Sequence, residues 1–156
     1  MAKFGNFLVL CILLGSVAKG IITMQFFLSC AHTIGVSHCP SFSSRLYNFT
    51  GVWGKQDPSL DGEYAANLKT KKCKSINDNT TIVEIDPGSF GIFDLSYFRL
   101  VLKRKGLFQS DAALTTSATT KLYINQLVQG SLKQFYAEFG PAMEKMGKIE
   151  VKTALW

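Results

Sequence analysis

Past residue 58 the apolar positions recur three and four residues apart, the period of helices that bury one face. Pro58 and Asp61 open a predicted helix running through Tyr64, Ala65 and Leu68 towards Cys73. A polar, turn-forming stretch follows from Ser75 to Thr81, and then a short apolar run from Ile82 to Asp86. Asp94 is the expected N-cap of a helix burying Tyr97, Phe98, Val101 and Leu102, with Lys103-Arg104-Lys105 at its C-terminus and Gly106 beyond. Thr119 or Thr120 opens the next, through Leu122, Ile124 and Leu127 to Gly130. The last begins at Ser131 and places Leu132, Phe135, Phe139, Met143 and Met146 at helical spacing, a stripe that reads as core packing. Gly140-Pro141 interrupts it, where an internal proline predicts a kink. The pattern is all-α, with no internal repeat and no phosphate-binding glycine loop.

The first twenty residues follow a different rule. Lys3 precedes an apolar run, FLVLCILLGSVA from Phe7 to Ala18, and the small residues Ala18 and Gly20 straddle Lys19. A charged start, apolar middle and small-residue exit predict a secretory signal peptide over 1–20, leaving one domain over 21–156. The apolar run is short for a bilayer, so no retained membrane segment is expected. Two sequons, Asn48-Phe49-Thr50 and Asn79-Thr80-Thr81, fit a glycosylating compartment and a secreted, extracellular or cell-wall location. Within that compartment Cys39 and Cys73, flanking a loop-rich stretch, read as a disulfide, while Cys11 would leave with the signal. The net charge of +6 is compatible with a polyanion such as acidic cell-wall polysaccharide. The densest cluster, KTKKCK from Lys69 to Lys74, reads as a solvated helix end, and no nucleic-acid signature accompanies it.

Candidate chemistry gathers in three places. Leu28 to Phe49 reads LSCAHTIGVSHCPSFSSRLYNF, with His32 ahead of Thr33, Ile34 and Gly35, and Cys39, Phe42 and Arg45 following. Taken alone, such a histidine is either a satisfied core residue or a ligand. Asp86 to Asp94 reads DPGSFGIFD: two carboxylates, a hydroxyl and loop carbonyls, a set that suits a hard cation or a plain turn. Ser110-Asp111 before Ala112 and Ala113 has the form of a helix N-cap. His32, His38, Cys39 and Cys73 lack zinc-finger spacing, and zinc is not expected.

The Leu28–Phe49 segment resembles the proximal-haem signature of class III secretory plant peroxidases, whose S-x-A-H-T-I-G histidine ligates haem iron. The resemblance runs from about Leu28 to Thr153 and implies the helical proximal domain of that fold. It implies haem b held by His32, with Asp111 of a G-L-x-Q-S-D segment (Gly106 to Asp111) orienting the ring. It further implies a calcium site made by Thr33, Asp86, Ser89, the Ile92 carbonyl and Asp94, and the same Cys39–Cys73 bridge. Cys30 stands where the family has glycine or alanine and reads as a buried free thiol.

The implied activity is oxidation of phenolic donors by hydrogen peroxide, a role in peroxide removal and oxidative stress. The family's R-x-x-F-H-D-C segment, which supplies the distal base and arginine, has no counterpart in 1–27, and ITMQFF departs from the family upstream of Leu28. The cysteine expected near the C-terminus is missing as well, the chain diverging at Ala154. The expectation is a truncated proximal half without catalytic residues of its own, in which parts of the Phe135 to Met146 stripe are uncovered. The alternative is a non-catalytic secreted fragment that binds calcium, wall polymer or a full-length relative.

Overall fold

The computed structural model describes residues 31–148. The expected signal peptide, Cys30 and the divergent tail lie outside the described residues. One turn of 3-10 helix, Ala31–Thr33, carries His32 and leads into strand β1, Val36–His38. Gly35 makes the change of direction with φ near 112°, a conformation side chains rarely adopt. Its amide donates to the Phe90 carbonyl at 2.7 Å, tying this corner to the later loop. Strand β2, Ile82–Glu84, pairs antiparallel with β1, Ser37 opposite Val83. Three-residue strands are too short to show a period of two, so this long-range strand pair is not legible as β in the sequence.

Helices account for most of the rest. Helix α1 spans Ser43–Tyr47 and α2 spans Gly62–Asn67, widening into a π-type turn over Leu68–Lys72. The Asp61 carboxylate caps α2 by accepting from the Tyr64 amide at 2.9 Å, as the sequence predicts. Helix α3 spans Ser96–Leu102, α4 Gln109–Ala113, α5 Ala118–Gln129 and α6 Leu132–Gly147.

Three boundary expectations are corrected. The N-cap of α3 is Leu95, and Asp94 instead accepts from the Ser96 amide at 2.7 Å. Left-handed backbone after α3 falls on Arg104, φ 59°, and not on Gly106. Ser117, two residues before Thr119, caps α5. Helix α6 runs through Pro141 and continues to Gly147, without the amide hydrogen bond that proline cannot donate.

Two apolar clusters hold these elements. One gathers Leu95, Tyr97, Phe98 and Val101 of the α3 region with Ile124 and Leu127 of α5 and Phe135 of α6. Phe135 is fully buried, whereas Phe139 and Met143 further along the stripe are only partly buried. Phe93 stacks on Phe135 at 5.2 Å between ring centroids. The second cluster packs Phe42 and Leu46 against Leu60, Leu68, Val83 and Leu107 around the Cys39–Cys73 disulfide. That bridge closes a 34-residue separation, worth roughly 3–4 kcal/mol by loop-closure entropy. The Tyr47 hydroxyl donates to the Cys73 carbonyl at 2.6 Å and fastens α1 to the same corner.

Candidate functional site

His32 sits where the two clusters meet. Its Nδ1 is 2.8 Å from Asp111 Oδ1, a contact across 79 residues of sequence. Asp111 is fully buried on α4, and its other partners match an ionised carboxylate. The Tyr97 hydroxyl donates to Oδ1 at 2.8 Å, and the Phe108 amide donates to Oδ2 at 2.8 Å. Asp111 thus serves its helix as the acceptor for an N-terminal amide and serves the histidine as well. The expected N-cap at Ser110-Asp111 is corrected: the N-cap is Phe108, and Asp111 stands at the third helical position, where its carboxylate reaches back to the N-cap amide.

With Nδ1–H directed at a buried carboxylate, the neutral imidazole carries its lone pair on Nε2. The ring stays part-exposed, its side chain 29% accessible, while Phe108 packs on it at 4.6 Å and Tyr97 meets it edge-on at 6.0 Å. A ring locked in angle and tautomer, with an accessible basic nitrogen, can act as a metal ligand.

The acidic loop lies directly beside this turn. Thr33 Oγ1 donates to the Asp94 carbonyl at 2.7 Å and accepts from the Asp94 amide at 3.3 Å. The Ser89 hydroxyl donates to Asp94 Oδ2 at 3.0 Å, and the Ile92 amide returns to the Ser89 carbonyl at 2.8 Å. Asp86 is buried, and its Oδ2 has no hydrogen-bond partner. Burial first, and then the neighbouring Asp94, push its carboxyl up to about 6, against a bond from the Tyr97 amide. An orphaned buried carboxylate oxygen repelled by a second carboxylate fits a bound cation, which would supply the partner and cancel the repulsion. Among the described residues no three His, Cys, Asp or Glu side chains cluster as a metal site, so the donors here are mainly hydroxyls and carbonyls, the ligands of a hard ion.

Two elements escaped the sequence reading. Arg45 is buried at the centre of the second cluster, its Nε 2.7 Å from Asp57 Oδ2. Nothing local marks this pair, because Asp57 is twelve residues away. Tyr97 was legible as core, but its hydroxyl on Asp111 was not. Of the sequon asparagines, Asn79 is exposed, whereas Asn48 is half-buried with an unpartnered Oδ1.

The sequence model of the family described as Peroxidase matches residues 25–130, a span holding His32, Asp111 and the acidic loop. The chain belongs to the peroxidase family. It is 68% identical over 126 residues to Peroxidase 3 of Arabidopsis thaliana, covering 81% of this chain and 38% of that protein. Peroxidase 39 of the same plant is 59% identical over 150 residues, 96% of this chain and 45% of the relative. Peroxidase 1 of Oryza sativa subsp. japonica is 52% identical over 129 residues, 81% of this chain and 39% of that protein. These relatives agree with the class III plant peroxidase resemblance of the His32 segment, and the chain spans less than half the length of each. The helical architecture is that of a plant peroxidase domain fragment. The α2–β2 corner carries a disulfide, and no described helix is long and apolar enough to cross a membrane.

Proposed function

We propose that this chain forms the proximal half of a haem b site in an enzyme that oxidises phenolic donors with hydrogen peroxide. The observation carrying the reading is the 2.8 Å contact from His32 Nδ1 to the buried Asp111. Haem, when bound, supplies the iron that accepts oxidation from peroxide and passes it to donors one electron at a time. His32 would hold that iron through Nε2. Asp111 keeps the proton on Nδ1, fixes the ring's angle and strengthens its electron donation. Tyr97 and the Phe108 amide hold Asp111 in place.

Calcium, held by Thr33, Asp86, Ser89, the Ile92 carbonyl and Asp94, would tie the histidine turn to the loop ahead of α3. The order of the first twenty residues and the disulfide support export to the cell exterior or wall, where Asn79 is the more accessible sequon. Exposed Lys71, Lys72 and Lys74 offer charge for acidic polysaccharide there.

Peroxide cleavage also calls for a base and a charge donor on the opposite haem face. These contribute about 10²–10⁴ and roughly 10²–10³ in rate. The 156 residues contain no R-x-x-F-H-D-C segment, so the 156-residue polypeptide alone should oxidise guaiacol no faster than a haem–imidazole complex. Placing residues 31–148 of this chain into full-length Peroxidase 3, in place of its matching stretch, should give an active hybrid, and His32→Ala should silence it. A folded, haem-loaded hybrid without peroxide-dependent turnover would contradict the proposal.

A further inference from the structure

We propose that Arg45 is a positioning residue for His32, acting through the loop that presents Asp111. Its guanidinium is buried and committed on every side. Nε donates to Asp57 Oδ2 at 2.7 Å and Nη2 to the Ser59 hydroxyl at 3.1 Å. Asp57 Oδ1 is fixed in turn by the Ser59 amide at 2.8 Å and hydroxyl at 2.6 Å. Nη1 faces three successive carbonyls, Gly106, Leu107 and Phe108, each at 2.8 Å. Two N–H groups cannot saturate three acceptors, so this contact is an electrostatic clamp that bends residues 106–108 around one cation.

The clamped loop touches the histidine pair in three ways. The Phe108 amide holds Asp111 Oδ2, leaving Oδ1 for His32. The Phe108 ring packs on the imidazole. Gly106 lies so close to Asp111 that a Cβ there would stand 2.4 Å from the aspartate Cβ. Nothing compressible separates loop from carboxylate, so movement of the carbonyls moves Asp111 relative to Nδ1. A lysine at position 45 keeps the charge but lacks the planar fork that joins Asp57 to the loop.

The use of this device rests on His32 being the axial ligand, but the device itself is readable without haem. The experiment is long-range ¹H–¹⁵N NMR of the labelled 156-residue chain, with no haem added, near pH 8.5, well above the usual histidine pKa of about 6.5. His32 should be almost wholly the Nδ1–H tautomer. In Arg45→Lys, with the disulfide intact, it should shift markedly towards Nε2–H. The Phe108 amide should exchange about tenfold faster or more, as expected when a local closing contact is lost. Exposed His38 should not change. Where Arg45→Lys does not fold, Ser59→Ala loosens the same clamp and should give a smaller shift in the same direction. A folded variant that loses thermal stability while the His32 tautomer and Phe108 exchange stay as in the parent would overturn the proposal and leave Arg45 a merely structural residue. Failure of haem to bind His32 would leave this result untouched, so the two readings fail separately.

Discussion

Asp111 is a buried carboxyl with several partners to satisfy at once. Fully buried, it is ringed by His32, the Tyr97 hydroxyl and the Phe108 amide, and a polar group buried without such partners would be costly. The Arg45–Asp57 pair faces the same problem. Burial alone would raise the Asp57 carboxyl, but hydrogen bonds from Ser59 and Arg45, with the charge of Arg45, hold it below its ordinary range. A carboxyl lowered on folding contributes stability that is present above the unfolded pKa, about 4, and is lost as pH falls through the folded value. Asp57→Asn should therefore cost roughly 3 kcal/mol at pH 7 in urea unfolding, since it leaves a buried guanidinium without its counter-charge. The gap should close as the pH drops below about 4. A gap that stays constant to low pH would show that the carboxylate charge is not what Arg45 needs.

At the scale of elements, the loop from Asp86 to Asp94 binds the histidine turn to α3, with Thr33 and Asp94 exchanging backbone and hydroxyl bonds. Without a cation, this loop confines two mutually repelling carboxylates. Calcium at about 100 times its Kd should add roughly 2.7 kcal/mol to stability, because only the folded chain assembles the donors. Asp86→Ala should abolish that gain in thermal unfolding. Equal midpoints in calcium and in chelator for the parent chain would remove the calcium assignment.

Much of the element plan was readable beforehand. Helices α2, α3, α5 and α6 follow the 3.6-residue period, because each buries one face on an apolar cluster. Boundaries were less legible, since Asp94, Arg104 and Ser117 are placed by tertiary packing and by one-residue choices of backbone conformation. The β1–β2 pair was hidden by the brevity of its strands and by the helices that lie between them in the chain. His32, Asp111 and the acidic loop received roles through family resemblance, whereas Arg45 of the same segment received none, because its partners lie 12 to 63 residues away and no local pattern encodes them.

Across the whole molecule, the site is a seam. Tyr97 belongs to an aromatic cluster built on α3, α5 and α6, and its hydroxyl reaches Asp111 and so the side of a disulfide-centred cluster built on α1, α2 and β2. The His32 ring is met by Tyr97 of the first cluster and by Phe108, which packs on the second, an arrangement that fits a ligand held at a fixed angle. The central claim, that His32 is that ligand, is tested most directly by titrating haem into the 156-residue chain and into His32→Ala while recording the Soret band. The parent chain should show saturable binding with an imidazole-ligated spectrum, and His32→Ala should lose that spectrum. Identical spectra and affinities for the two chains would contradict that claim.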